Sequence, residues 1–253
     1  QDAAEAWSVS SIHVLFHDEA EGPALAGNTW MPRQNVQFHW THAQAGEPES
    51  FEAFLSHLQR EKRKKIKQER RRVAAAGVTF QVLEQGQIDE AAWDFFHRCY
   101  VNTYRLHHST PYLSRAFFRL TAQSMPQHWV MFVAMREGAA VGASLIAVDP
   151  TRRVAYGRYW GALEAIDCLH FEACYYQPLQ WCIEHGYRRF EGGAQGEHKM
   201  ARGLLPARTF SAHRLADPAF ARAVDDYLAR EGAGISQYVD ELNERSPFRR
   251  ADP

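Results

Sequence analysis

Between Trp129 and Gly161 the chain reads as three consecutive strands whose connections leave room only for a reversal. WVMFVAMRE, AAVGASLIAVD and RRVAYGRYWG are rich in β-branched and aromatic residues, and only Gly138 and the DPTRR turn separate them. Connections this short make the three strands antiparallel neighbours. The remaining elements must pack on or beside that meander. VTFQVLE (78–84) reads as a strand ahead of it. Asp89–His107, with an aromatic stripe, and Ser114–Ser124 read as two intervening helices. After the meander, His170–Gly186 reads as a helix in which Pro178 makes a kink or marks a second segment. RRFEGG opens another strand and Thr209–Ala216 a last one. A closing helix follows, with Asp217 as N-cap and Pro218 at its first position. SSIHVLF (10–16) and VQFHW (36–40) are strands at the start, with a loop and one short helix between them.

One segment departs from this α+β alternation. Phe51, Phe54, Leu55 and Leu58 recur at helical spacing after Ser50, and the spacing predicts one helix over 50–76 that Gly77 ends. Residues 60–72, REKRKKIKQERRR, hold nine basic and two acidic residues. The rest of the chain therefore carries −8, although the whole carries only −1. Two readings stand: a solvated helical arm, or a surface that holds a polyanion through Lys62, Arg63, Lys64, Lys65 and Arg70.

At 253 residues and 45% hydrophobic content the chain can bury a full core. It has no apolar run of about 18 residues that could span a membrane. Its four cysteines form no CxxC pair and no zinc spacing, which fits reduced thiols in a cytoplasmic protein. The chain begins at Gln1 and reads as part of a longer protein.

Strand, helix, helix, three-strand meander, helix, strand, loop, strand is the order of the GNAT acyltransferase core. YGRYWG (156–161), LHFEACYYQ (169–177), GGAQGEHKMARG (192–203) and SAHR (211–214) follow SSIHVLF, QFHW and KRKKIKQERR in that order. Together these stretches resemble the FemAB-like "peptidoglycan biosynthesis/recognition" proteins of the GNAT superfamily, from about Ser10 to Glu231. The resemblance implies a GNAT fold, a mixed central sheet flanked by helices. It implies that residues 1–45 are the remnant of a truncated first GNAT-like lobe. Residues 46–253 would form a FemAB-like domain with a basic helical arm over 50–76. It also implies transfer of an acyl or aminoacyl group to an amine, with aminoacyl-tRNA or acyl-CoA as donor. The acceptor would be an amine-bearing small molecule or peptide, such as a peptidoglycan precursor. The alternative is a GNAT-fold protein that has lost transfer and only recognises a cell-wall precursor or peptide.

The residues bear on the donor first. In a CoA-dependent GNAT the turn after the fourth core strand and the next helix N-terminus cradle the pyrophosphate. Here that turn, residues 161–170, is GALEAIDCLH, with one glycine and two acids, Glu164 and Asp167, which disfavours CoA. In the following helix, Glu172 is a candidate general base or amine anchor, with His170 and Tyr175 as substrate contacts; helix capping and packed tyrosines are the plain reading. Arg158 on a central strand either pairs with a buried acid or lines a polar cleft facing an anion, and Tyr159 sits beside it. The glycine-rich stretch after Phe190 offers Gln195, Glu197, His198, Lys199 and Arg202. Glu197 could accept a proton there and the cations could grip a phosphate or carboxylate, or the charges could satisfy one another. No ligand spacing supports a metal, and no GxSxG or arranged Cys–His pair supports a nucleophilic triad. His213 could face the same cleft or sit satisfied in the core.

Overall fold

The computed structural model describes residues 8–25, 29–42, 50–194 and 196–249. The chain divides into two compact units, Gln1–Phe38 with Leu205–Ser246, and His39–Leu204 with Pro247–Pro253.

The larger unit is built on the meander. Strands β3 (Val78–Glu84), β4 (Trp129–Arg136), β5 (Ala139–Asp149) and β6 (Val154–Ala162) pair antiparallel in sequence order. β7 (Arg189–Glu191) then pairs parallel with β6 and antiparallel with the end of β2 (Met31–Thr41). A helical crossover between β6 and β7 is what allows a parallel pair in an otherwise antiparallel sheet. The result is the mixed sheet and element order of the GNAT fold.

Both faces of this sheet are covered. α3 (Glu90–Leu106) and α4 (Arg115–Ser124), N-capped by Asp89 and Ser114, bury Trp93, Phe96, Cys99, Tyr100 and Phe118 against Met131, Val133, Ala143 and Leu145. On the other face Val73 and Leu169 pack against Val78, Ala134 and Val141. α3 lies unusually close to β6. A Cβ at Gly161 would stand 2.1 Å from the Cys99 carbonyl oxygen, and Asn102 and Thr103 donate side-chain hydrogen bonds to the Ala162 and Trp160 carbonyls at 2.8 and 2.9 Å. Gly161→Ala is therefore expected to cost about 1–3 kcal/mol by overpacking against backbone that cannot swing aside. A urea midpoint unchanged from wild type would show that the helix can lift away freely.

The arm is not one helix. α1 (Phe51–His57) and α2 (Arg60–Ala75) are separated by Leu58 and Gln59, both extended at ψ near 150°. Leu58 is fully buried and bridges to Phe248, while the Gln59 N–H donates to the Pro247 carbonyl at 2.9 Å. Tertiary pairing of this backbone replaces the helical bonds, and the apolar spacing that ends at Leu58 is the break. Ser50 caps α1 as expected, accepting from the Ala53 N–H, and Gly77 ends the arm at φ +75°.

The crossover helix is composite: Leu169–Phe171, a π-helical turn Glu172–Tyr176, and α5 (Gln177–Glu184). Pro178 has no N–H to donate, and the turn before it widens. The Gln177 N–H then reaches back to the Glu172 carbonyl. This leaves the Ala173 carbonyl to accept from the buried Ser144 hydroxyl at 2.5 Å.

The smaller unit pairs β1 (Ser11–His17) antiparallel with β8 (Leu205–Leu215) and packs α6 (Pro218–Glu244) on them. Arg33 and Glu231 form a two-bond ion pair there at 2.7 and 2.8 Å. Among the described residues no helix is long and apolar enough to cross a membrane.

Candidate functional site

β6 and β7 run parallel only from Val154↔Arg189 to Tyr156↔Glu191 and then part. Gly157 stands at the parting point, where an added Cβ would crowd the Glu191 carbonyl at 3.3 Å and touch the Phe190 ring at 3.4 Å. One residue further, the β5–β6 register slips: Leu145 faces Tyr159 and Ile146 faces Gly157, so Arg158 is an extra residue in a β-bulge. A cleft of about 420 Å³ opens here. The meander supplies Ser144, Leu145, Ile146 and residues 157–160 of its lining. The crossover helix supplies His170, Cys174 and Tyr175, and α3 supplies Tyr100, Thr103, Tyr104 and His107.

The cleft gathers four of the residues expected from the sequence, Arg158, Tyr159, His170 and Tyr175. The bulge turns Arg158 out of the core, so it is exposed, stacks over the Tyr156 ring at 5.4 Å, and has no acidic partner among the described residues. His170 packs edge-on against Tyr175 (84°, centroids 5.6 Å apart) and beside Trp160 at 5.4 Å. Burial, then the nearby His198, Arg202 and Lys199, pushes its imidazole down to about 4, so it is neutral at pH 7. Burial also raises the Tyr159 and Tyr175 phenols and the Cys174 thiol above their ordinary values.

Glu172 lies elsewhere. The helical turn that points His170 and Cys174 into the cleft points Glu172 and Tyr176 the opposite way, toward α2. Glu172 is buried; its Oε1 accepts from Arg70 Nε at 3.1 Å and from Gln177 Nε2 at 2.7 Å, and its Oε2 has no partner among the described residues. Burial holds its carboxyl above the usual range, more than Arg70 and Gln177 lower it. Arg70 also donates to Gln180 and lies over the Phe51 ring, so it is bound to the fold.

The 190–203 loop is held from inside. The buried Lys199 ammonium donates to the carbonyls of Gly192 (2.7 Å), Gly193 (3.2 Å) and Ala194 (2.8 Å). Burial pushes Lys199 down to about 8, while the three acceptors favour its charged form. Arg202 is buried too. It forms an ion pair with Glu69 of α2, donates to the His198 carbonyl, and stacks 3.6 Å over Phe171; Tyr176 donates to the same Glu69. His198 reaches the Tyr175 hydroxyl at 3.3 Å behind the cleft wall. Glu197 is exposed on the short 3-10 turn Glu197–Arg202 and does not line the cleft. Gln195 lies outside the described residues. His213 belongs to the smaller unit, 2.8 Å from His13.

Along the arm, Lys67 pairs with Glu52, Arg70 with Glu172 and Arg72 with Asp167. Arg60, Lys62, Lys64 and Lys65 have no acidic partner among the described residues. The positive charge left over is thus mostly at the N-terminal half of α2, with Arg71, bonded only to the Lys67 carbonyl, beyond it; it includes Lys62, Lys64 and Lys65 but not Arg70. Arg63 leans back on the Ser56 and Leu58 carbonyls at 3.4 and 3.5 Å. The sequence reading missed Glu69 and the α3 wall. Glu69 falls between Ile66 and Val73 on the one apolar stripe of α2, and Tyr100, Thr103, Tyr104 and His107 recur at helical spacing; both signals were in the sequence.

The model of a family described as FemAB-like, peptidoglycan biosynthesis/recognition, matches residues 1–250. No curated protein matches the chain in sequence. Among solved structures, L-PGS from Bacillus licheniformis is similar at TM-score 0.64 and 12% identity, over 98% of this chain and 76% of that one. The C-terminal DUF2156 domain of a proposed lysylphosphatidylglycerol synthetase from Agrobacterium fabrum gives TM-score 0.63 and 14% identity, over 92% and 74%. A conserved protein of unknown function from Bacteroides thetaiotaomicron gives 0.58 and 11%, over 85% and 72%. At these identities the likeness is one of fold.

Proposed function

We propose, for a chain that belongs to the FemAB-like family of peptidoglycan biosynthesis/recognition proteins, that the cleft transfers an aminoacyl or acyl group from an activated ester to an amine. The observation that carries this reading is the β-bulge at Arg158 on the cleft floor. A bulge leaves backbone groups out of the ladder, and an unpaired N–H beside a reacting carbonyl is a donor for its developing oxyanion. Arg158, exposed at the same point, supplies the positive charge for a carboxylate or phosphate of the donor or acceptor.

An aminoacyl ester on tRNA suits the donor side better than CoA. The turn after β6 has no glycine beyond Gly161, and its acids are fixed in place, Glu164 on Arg136 at 3.2 Å and Asp167 on Arg72 at 3.0 Å. These pairs remove the bare repulsion that the acids alone would exert, but the turn still lacks the glycines of a pyrophosphate cradle. The unpaired cations at the N-terminal half of α2 suit an RNA backbone. One of the structural neighbours is named for lysylphosphatidylglycerol, an aminoacylated product. An amine on a peptidoglycan precursor is the acceptor that fits the family.

The test uses bulk tRNA charged with labelled amino acids and, separately, labelled acetyl-CoA, each with a lysine-containing cell-wall peptide. Label should pass from the charged tRNA to the peptide amine, and Arg158→Ala should raise KM about tenfold or more, the scale of one charge-assisted contact. Peptide bound but never labelled from either donor would replace this reading with a recognition protein.

A further inference from the structure

The attacking amine must lose a proton, and the residues first expected to take it are not in the cleft. Glu172 is turned to Arg70, and Glu197 is exposed on its 3-10 turn. The cleft lining contains no carboxylate among the described residues. What it offers instead is phenols, one thiol, Arg158 and two imidazoles, those of His107 and His170. Burial holds Tyr159, Tyr175 and Cys174 in their protonated forms, so none of them carries the needed lone pair as a base at neutral pH. His107 is exposed at the C-terminal end of α3.

His170 differs from His107 in being built in. Trp160 and Tyr175 fix its ring plane from two sides. Neither ring nitrogen has a hydrogen-bond partner among the described residues, and neither is among the sealed unpartnered atoms of the core. A lone pair is therefore presented to the cleft, two residues from Glu172 but on the other face of the helix. Burial first, and then the neighbouring His198, Arg202 and Lys199, disfavour a resting imidazolium.

We propose that His170 is the catalytic proton acceptor of the transfer, an assignment that rests on the transferase reading above. The amine nitrogen bonds to the ester carbonyl carbon, and the carbonyl π pair moves to oxygen. The N–H proton of the resulting ammonium passes to the His170 ring nitrogen. Reformation of the carbonyl breaks the ester C–O bond, and the departing alkoxide takes that proton back, so His170 ends neutral. An imidazole this weakly basic cannot deprotonate a free alkylammonium. It can deprotonate the tetrahedral adduct, whose ammonium is far more acidic, so the substrate amine must arrive neutral.

The experiment compares wild type, His170→Gln and His170→Gly with labelled aminoacyl-tRNA and the lysine peptide, from pH 6 to 9. His170→Gln should lower kcat about 10²–10⁴-fold with KM within about threefold. Added imidazole should restore part of kcat to His170→Gly and nothing to His170→Gln, a rescue that a packing role would not give. Full kcat in His170→Gln beside an active wild type overturns the assignment and leaves the transferase reading standing. A wild type that labels no peptide overturns both.

Discussion

Glu69→Ala is expected to remove about 3–5 kcal/mol of stability, the usual cost of stranding one partner of a buried pair. Glu69 and Arg202 are both buried, and their carboxylate and guanidinium meet at 2.9 Å on both oxygens. Without Glu69, Arg202 would keep one carbonyl acceptor and the Phe171 ring face, neither of which carries a negative charge. The Tyr176 hydroxyl would lose its acceptor as well. Urea unfolding followed by tryptophan fluorescence measures the loss, with Lys64→Ala on the exposed face expected to stay within about 0.5 kcal/mol. Glu69→Leu combined with Arg202→Met should recover most of the difference, because no buried charge is then unpaired and only the Tyr176 hydroxyl and the His198 carbonyl lose a partner. A single-variant loss under about 1 kcal/mol would mean that Arg202 reaches solvent once released.

That pair also shows why the arm was only half legible. Composition made residues 60–72 a cationic surface, and the inference from net charge treated every basic residue alike. Position decides otherwise. Ile66, Glu69 and Val73 form the buried stripe, so the helix docks through an acid, and Arg70 beside it goes to Glu172. Arg72 goes to Asp167, one of the two acids that made the 161–170 turn look repulsive to phosphate. Charges far apart in sequence neutralise one another here, which no local window can reveal. The continuous helix over 50–76 failed for a related reason: Leu58 pairs with Phe248, 190 positions away in the chain.

The sheet was more legible because its cues are local. Short turns force antiparallel neighbours, and a helix between β6 and β7 permits a parallel pair. That arrangement puts the cleft where the strands part, and Tyr159 and His170 lie along its lining; Arg158 joins them only through the β-bulge, and Tyr175 through the π-helical turn, neither of which the local pattern reveals. Glu172, two residues from His170, is turned away from the cleft by helix phase itself. The π-helical turn Glu172–Tyr176 ahead of Pro178 is a tertiary detail that the sequence pattern does not show. Lys199 and Arg202 belong to the cleft's support. Lys199 ties down the rim that contains Gly192, and Arg202 ties the same loop to α2.

Acid should weaken the protein earlier than its carboxylates alone would. His39 is buried at the end of β2, 3.9 Å from Glu191, with Arg189 and Lys199 as its cationic neighbours. Burial, then Arg189 and Lys199, lowers its imidazole from 6.5 to about 4. Above pH 6.5 the folded and unfolded chains both hold His39 neutral, and its contribution is fully present. Below 6.5 the unfolded chain takes up a proton that the folded one refuses, so stability falls. The loss reaches about 2 kcal/mol by pH 5 and about 3 kcal/mol by pH 4, where the folded form is itself about half protonated. His170 is lowered the same way and adds in the same direction over the same window. Glu172, held above the ordinary carboxylate value, acts oppositely at lower pH, because its folded form takes up the proton first. The interval from pH 7 to 5 therefore reports the histidines. Urea midpoints measured across it should fall steeply in wild type and by about 2 kcal/mol less in His39→Phe, which has no proton to bind. Parallel curves for the two proteins would show that His39 opens to solvent in the folded state and accepts its proton there.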